Sequence, residues 1–361
     1  MNLQIESKIK NYEVSFEKSF DFLKLLKDIN SSVFIIDSNV YNLYKEVFKT
    51  ISIENLFLFD ATEENKTFNY VKTIYDFLIS RSVKRNLTIV SIGGGITQDL
   101  TGFVASTLYR GVKWIFVPTT FLAMTDSCIG SKTSINYNQY KNLMGTFYPP
   151  NKIYININFL DTLAKLDFYN GIGETIKFQL MKENYPKDFS KILETIEKVK
   201  NTRSYRLEII HNNMEVKLAY MEGDEFDLGR RNLLNYGHCF GHALETSSSY
   251  YIPHGIAVNI GMIFANILSN KRCLLRKEDL HFVNEKILLP NIPLKLRRKD
   301  FDDLMLLKSM KNDKKRTGQY LSIVIPNHEF KMIKIDDVTD KEFMESLKEL
   351  ILFCFKGIGN E

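Results

Sequence analysis

The chain has 361 residues, 44% of them hydrophobic and 25% charged, with a formal net charge of +5. That composition excludes wholesale disorder, and a charge this small, spread along the chain, argues against a nucleic-acid partner or a membrane surface. No window reaches the roughly 18 consecutive apolar residues of a membrane span. The four cysteines, Cys128, Cys239, Cys273 and Cys354, have no CxxC spacing, and the opening MNLQIESKIKNYEVSF lacks a signal-peptide layout, so a soluble cytoplasmic protein with reduced thiols is expected.

Length alone suggests two domains. The first half alternates helical patterns with short apolar runs at Val33 to Ile36, Leu56 to Phe59, Leu87 to Ile92, Trp114 to Val117 and Lys152 to Ile157. That alternation predicts βαβ units around a mostly parallel sheet. The first strand ends in VFIIDSN, where Asp37, with Asn39 two residues on, can hold a ribose hydroxyl. A capping or turn role for Asp37 is equally open. The run TIVSIGGGITQDL then sets Gly93, Gly94 and Gly95 between a strand and a helix, where backbone amides can approach a phosphate. It is not a GxGxxG match, and a plain tight turn fits it as well.

Residues 110 to 142, RGVKWIFVPTTFLAMTDSCIGSKTSINYNQYKN, crowd cations, amides and hydroxyls behind a buried-type strand. Read as a long polar loop, the segment offers Arg110, Lys132, Lys141 and Asn142 as donors for an anion. Any one of these lysines alone is more often a surface residue. From about Asn170 the pattern turns helical, with amphipathic segments Asp188 to Lys200, Tyr205 to Tyr220, Gly237 to Ser247 and Ala257 to Asn270. Leu321 to Ile325 and Phe330 to Ile335 read as strands joined by a turn at Pro326 and Asn327. The expected architecture is a Rossmann-like α/β nucleotide-binding domain over 1–168 and a mainly α-helical metal- and substrate-binding domain over 169–361.

Three of only six histidines, His238, His242 and His254, fall in NYGHCFGHALETSSSYYIPHG. His238 and His242 are spaced i and i+4 and share a helix face, and His254 can return from the next segment. A catalytic zinc takes three protein ligands and keeps a fourth position open, and Glu174 in GIGETIK, three residues before Lys177, is a candidate carboxylate. Spacing leaves open which histidines ligate; analogy with HExxH helices favours His238 and His242.

In order, GGGITQDLTGF, RGVKWIFVPTTFLAMTDSCIGSKTSIN, KNLMGTFYPP, GIGETIK, RNLLNYGHCFGHALE, PHGIAVNIGM and NDKKRTG resemble the motif series of the 3-dehydroquinate synthases, members of the sugar phosphate cyclase family. The resemblance spans roughly Asp37 to Gly318. It implies a dehydroquinate synthase-like fold, a homodimer, and zinc or cobalt held by Glu174, His238 and His254, with His242 turned to the substrate phosphate. It implies NAD against Gly94, Gly95 and Asp99, with Asp37, Asn39 and Glu63 toward the adenosine and with Lys66, Thr119, Thr120, Lys141 and Thr162 nearby. A phosphorylated sugar acid would meet Asp126, Lys132, Asn142, Lys177, Lys217, Arg231, Asn235 and His242, with Asp126 and Lys132 also close to the nucleotide. Arg110 and a lysine of NDKKR, Lys314 or Lys315, would add charge at the phosphate.

The implied reaction is transient oxidation of a ring hydroxyl, loss of phosphate, reduction, ring opening and aldol closure, with no net redox change. Lys217 and Arg231 stand where a substrate carboxylate would be bound, and the fork of an arginine suits one. That pairing favours the dehydroquinate reaction over a cyclase of another heptulose or hexose phosphate. Three positions depart from the family pattern: Ile256 for a glutamate that can orient a metal ligand, Ser131 in GSK for GGK, and Gln98 for a small residue. The alternatives carried are a metal-dependent polyol dehydrogenase and an inactive nucleotide-binding paralogue.

Overall fold

Apolar runs buried on both faces make the middle of the sheet. In the computed structural model, which describes residues 2–138, 140–183, 187–311 and 320–355, the chain divides into two units, Met1–Ala164 and Lys165–Glu361. The expected boundary at 168/169 lies in the first turn of the helix Lys165–Met181. The strands of the first unit are β1 (Asn2–Ile5), β2 (Tyr12–Phe16), β3 (Ser32–Asp37), β4 (Leu56–Phe59), β5 (Thr88–Gly93), β6 (Lys113–Pro118), β7 (Lys132–Tyr137), β8 (Tyr140–Phe147) and β9 (Lys152–Ile155).

Seven of them form one sheet in the order β1-β2-β9-β6-β5-β3-β4. Only the β1–β2 pair is antiparallel; β2–β9, β9–β6, β6–β5, β5–β3 and β3–β4 are parallel. Every residue of β5 is buried, as are Ser32 to Ile36 of β3, which is why their sequences are predominantly apolar rather than alternating. The chain runs from β3 outward to β4, then returns to the other side of β3 as β5. The order therefore reverses between β3 and β5, and their carboxyl ends carry Asp37 and Gly93. In open parallel sheets, ligands bind at the strand carboxyl ends beside such a reversal.

Strands β1 and β2 extend the edge and were not apparent as apolar runs. The polar stretch expected to be a loop is instead ordered: β6 leads through a π-helical turn, Ala123–Ser127, into the antiparallel hairpin β7–β8. Strand β7 alternates buried Thr133 and Ile135 with more accessible Lys132, Ser134 and Asn136, the period of a half-buried strand. It packs on the helix Gly95–Thr107, where Gly102 makes room for Thr133.

The second unit is built on helices, with an antiparallel pair β10 (Leu321–Pro326) and β11 (Met332–Val338). The second strand starts later than expected because Phe330, at φ 56, belongs to the turn closed by Asn327. The helix His254–Lys271 is buried without interruption from Gly255 to Ser269, as a helix with apolar residues on every side must be, and Asn259, Asn266 and Ser269 are buried with them. Two glycine crossings bring neighbours onto it. A methyl on Gly173 would overlap the Gly255 carbonyl oxygen, and one on Gly261 would overlap that of Gly237. Among the described residues no helix is long and apolar enough to cross a membrane, and the four cysteines are unbridged.

Candidate active site

The first unit gathers polar side chains at the carboxyl ends of its strands. Strand β5 ends at Gly93 and the next helix begins at Gly95, so that helix's amino end opens directly off the sheet. Gly94 lies against Thr120, whose hydroxyl accepts the Ala123 N–H at 3.1 Å. Thr119 donates its backbone N–H to the Gly93 carbonyl at 2.9 Å. The Thr97 and Thr119 hydroxyls are buried, and neither finds a hydrogen-bond partner among the described residues. Orphaned hydroxyls beside a glycine turn and a helix amino end fit a phosphate-bearing nucleotide. Asp37 caps the following helix, its Oδ1 accepting the Asn39 N–H at 2.9 Å, and burial raises its pKa.

A second cluster couples this helix to the hairpin. Lys66, 5% exposed, pairs with Asp99 and donates to Asn142 Oδ1 at 2.5 Å. Ser134 donates both its backbone N–H and its hydroxyl to the Asp99 carboxylate, each at 3.1 Å. Asn136 receives the Asn142 N–H at 2.9 Å and donates to Glu63 Oε1 at 2.8 Å, with the Lys141 ammonium 3.6 Å from that same oxygen. Burial pushes the Asp99 carboxyl up while Lys66 pulls it down. Glu63, Lys66, Asp99, Lys141 and Asn142 are thus brought together. Ser134 and Asn136, which sequence reasoning passed over, join them because β7 alternates.

Gln98 is 4% exposed and exchanges hydrogen bonds with Ser127, donating to its carbonyl at 2.6 Å and accepting from its hydroxyl at 2.7 Å. That exchange fastens the turn that carries Asp126. Ser131, just before Lys132, sits at φ 66, a left-handed conformation that suits glycine. Arg110 is exposed at φ 65 ahead of β6, outside the Lys66 network, and Thr162 pairs with the Tyr44 hydroxyl at 2.9 Å.

In the second unit the glycine crossings carry the candidate ligands. Glu174 follows Gly173, His238 follows Gly237 at φ 77, and His254 precedes Gly255, whose N–H is held by Asn170. Glu174 is fully buried. Its Oε1 lies 3.4 Å from His238 Nε2 and 3.3 Å from His254 Nε2, and its Oε2 lies 2.5 Å from the Lys177 ammonium. Neither carboxylate oxygen makes a hydrogen bond of normal geometry among the described residues. His238 Nδ1 is 3.1 Å from the Tyr236 carbonyl and His254 Nδ1 is 3.0 Å from Glu245 Oε2, so each ring turns Nε2 inward.

One atom from each of Glu174, His238 and His254 lies within 4.8 Å of the others. Two imidazole nitrogens and a carboxylate oxygen form the donor set of a three-ligand catalytic zinc centre, and the buried Oε1, turned to both histidines with no hydrogen bond of its own among the described residues, fits a cation there. Burial disfavours the Glu174 charge, yet Lys177 and His238 outweigh it and hold the carboxyl well below its ordinary value. His238 is lowered by burial and by Lys177. His254 is lifted to about 10: burial works against its charge, and Glu245 and Glu174 prevail. His242 is exposed and stands apart from Glu174, its ring centroid 5.4 Å from that of His254.

Lys217 and Arg231 are 7% and 3% exposed. Lys217 lies one turn beyond Asn213, which links through Gln179 and Thr175 to the helix of Glu174. Arg231 is placed by Asp224, whose carboxylate accepts the N–H groups of Leu228 and Gly229 at 2.8 Å and of Arg231 at 2.9 Å. Asn235 donates to the Asn232 carbonyl at 2.8 Å. Lys314 and Lys315 lie outside the described residues.

Comparison with known proteins gives this arrangement a class. The chain has the fold of 2-deoxy-scyllo-inosose synthase complexed with carbaglucose-6-phosphate, NAD+ and Co2+, at TM-score 0.83 and 24% identity, covering 97% of this chain and 100% of that one. It superimposes equally on 2-epi-5-epi-valiolone synthase from Streptomyces hygroscopicus with NAD+ and Zn2+ bound, at TM-score 0.83 and 23% identity, covering 97% and 99%. The sequence goes further. Residues 56–170 match the family 3-dehydroquinate synthase N-terminal and residues 171–316 match 3-dehydroquinate synthase C-terminal. The 3-dehydroquinate synthase of Clostridium tetani is 37% identical, covering 92% of this chain and 89% of that protein. The chain belongs to the 3-dehydroquinate synthase family.

Proposed function

We propose that the chain is a 3-dehydroquinate synthase, converting 3-deoxy-arabino-heptulosonate 7-phosphate to 3-dehydroquinate with loss of phosphate. The observation that carries this reading is the enclosed convergence of Glu174, His238 and His254 with the Lys177 ammonium. Those three side chains hold zinc or cobalt, and the Gly94–Gly95 turn, Thr119, Asp99 and Lys66 hold NAD. Bound NAD supplies reversible hydride acceptance, so the net redox change is zero. The bound ion supplies Lewis acidity to the hydroxyl being oxidised and to the ketone it becomes.

The chain's own part is to bind and orient. Lys177 places its ammonium on the substrate beside the ion. Arg231 and Lys217 take the carboxylate: both are largely out of water, and the guanidinium fork matches a carboxylate's two oxygens. His242 and Asn235, with Lys314 or Lys315, meet the phosphate. The working protein is a cytoplasmic homodimer. A second reading, a cyclase acting on a carboxylate-free sugar phosphate, gives the fork of Arg231 no matching group on the substrate.

The test is direct. Purified protein is incubated with NAD, zinc and the seven-carbon keto acid phosphate, and phosphate release and the cyclic product are measured with no accumulation of NADH. Turnover of a carboxylate-free heptulose phosphate alone would reject the substrate while sparing the family.

A further inference from the structure

Three side chains of the helix His238–Ser247, namely His238, His242 and Glu245, are spaced i, i+4 and i+7 and form one stripe facing His254. Two ligand sets meet on His254: Glu174, His238 and His254, and also His242, Glu245 and His254, each with its donor atoms within 4.8 Å. The imidazole is divided between them. Its Nε2 is 3.3 Å from Glu174 Oε1 and its Nδ1 is 3.0 Å from Glu245 Oε2. Glu245 is 3% exposed, so its carboxylate is held in place out of water, and position 256 is the fully buried Ile256, which offers no acceptor.

We propose that Glu245 is a positioning residue for the metal centre: it accepts the Nδ1–H of His254 and thereby aims the Nε2 lone pair at the ion shared with Glu174 and His238. This rests on the metal reading above. Metal-bound histidines characteristically donate their second N–H to a carboxylate or a carbonyl, which fixes the tautomer and raises the basicity of the ligating nitrogen. The two histidines here are anchored differently, His238 on the neutral Tyr236 carbonyl and His254 on an anionic carboxylate. His254 is therefore the stronger donor of the pair. A second ion on Nδ1 would require both nitrogens of one imidazole to be deprotonated, so the second set serves as the outer support of one centre.

Ion-free protein, competed for zinc against a chromogenic chelator and titrated with cobalt while the visible bands are recorded, tests the proposal. Wild type should bind one equivalent. Glu245→Gln keeps an acceptor but loses the charge and should weaken zinc about tenfold; Glu245→Leu, lacking both, should approach a hundredfold loss. The cobalt bands should move in both variants, which a merely structural role would not cause. Glu245→Gln is nearly isosteric, so it decides the question if the leucine variant fails to fold: wild-type affinity and spectrum there overturn the proposal. Two equivalents in wild type, one of them lost with Glu245, overturn it too by making Glu245 a ligand. Glu174→Gln is the separate control, and unchanged zinc binding in that variant would instead reject the metal reading.

Discussion

The Lys177 ammonium lies 2.5 Å from the Glu174 carboxylate one helical turn before it, with the two side chains 2% and 0% exposed. The pair places a positive charge against the carboxylate to which the metal reading assigns a cation. Removing one partner of an enclosed pair strands the other, at a cost of about 3 kcal/mol or more. Lys177→Ala is therefore expected to lower the melting temperature of the ion-free protein and to abolish turnover. Zinc should then raise the melting temperature more in the variant than in wild type, since the ion takes over the neutralisation. Equal increments in paired thermal melts would show that Lys177 and the ion do not share Glu174.

Arg231 tests the choice of substrate. Its enclosed guanidinium is assigned to a carboxylate, so Arg231→Ala should reduce kcat/KM for the keto acid phosphate far more than for a carboxylate-free heptulose phosphate. Charge-assisted pairs of this kind are worth about 2–5 kcal/mol when one partner is truncated, which corresponds to roughly thirtyfold or more in kcat/KM. Equal losses on both substrates would remove the role given to Arg231.

Asp224 extends that argument to the backbone. Its carboxylate gathers three consecutive-turn N–H groups, ending with that of Arg231 itself, and these bonds hold its pKa down against the cost of burial. Asp224→Ala should release the turn and raise KM for the acid substrate while kcat changes less, as expected when uniform binding is lost. Steady-state kinetics on both substrates separates this from a general loss of fold, which would lower the active fraction and leave KM unchanged.

How much of this was legible in sequence follows from burial and periodicity. Strands β3, β5 and β6 stood out because both faces are covered, so apolar residues dominate them and no charged residue falls inside. Strand β7 did not, because Lys132, Ser134 and Asn136 on one face outweighed Thr133 and Ile135 on the other in a composition-based reading. A period-2 count would have found the strand and put Ser134 and Asn136 on one accessible face with Lys132. The histidines announced themselves by scarcity. Glu174 was a candidate from donor chemistry, but its pairing with His254 rather than His242 was reachable only by motif resemblance, because a glycine crossing between distant helices, Gly173 on Gly255, sets its place. Glu245 was missed although its i+7 relation to His238 was in plain view.

That crossing makes its own prediction. With no room for a Cβ on Gly173, Gly173→Ala must part the two helices, and overpacking of this kind costs about 1–3 kcal/mol. Glu174 and His254 flank the contact, so zinc affinity should fall together with stability. Chelator competition and thermal melts on one preparation check the coupling; a destabilised variant that binds zinc normally would show that the crossing does not set the ligand spacing.

Ser131 offers the opposite sign. It holds φ 66 between Gly130, at φ 106, and the first residue of β7, and it is 4% exposed. A non-glycine residue in this region costs about 1–2 kcal/mol, while glycine there gives back part of the gain through the greater freedom of the unfolded chain. Ser131→Gly should therefore stabilise the protein by up to about 1 kcal/mol. If the serine is tolerated only for its conformation, the change leaves KM for the phosphorylated substrate unaltered. A fall in stability, measured by denaturant titration with the slope unchanged, would mean that the hydroxyl contributes more than the strained backbone costs.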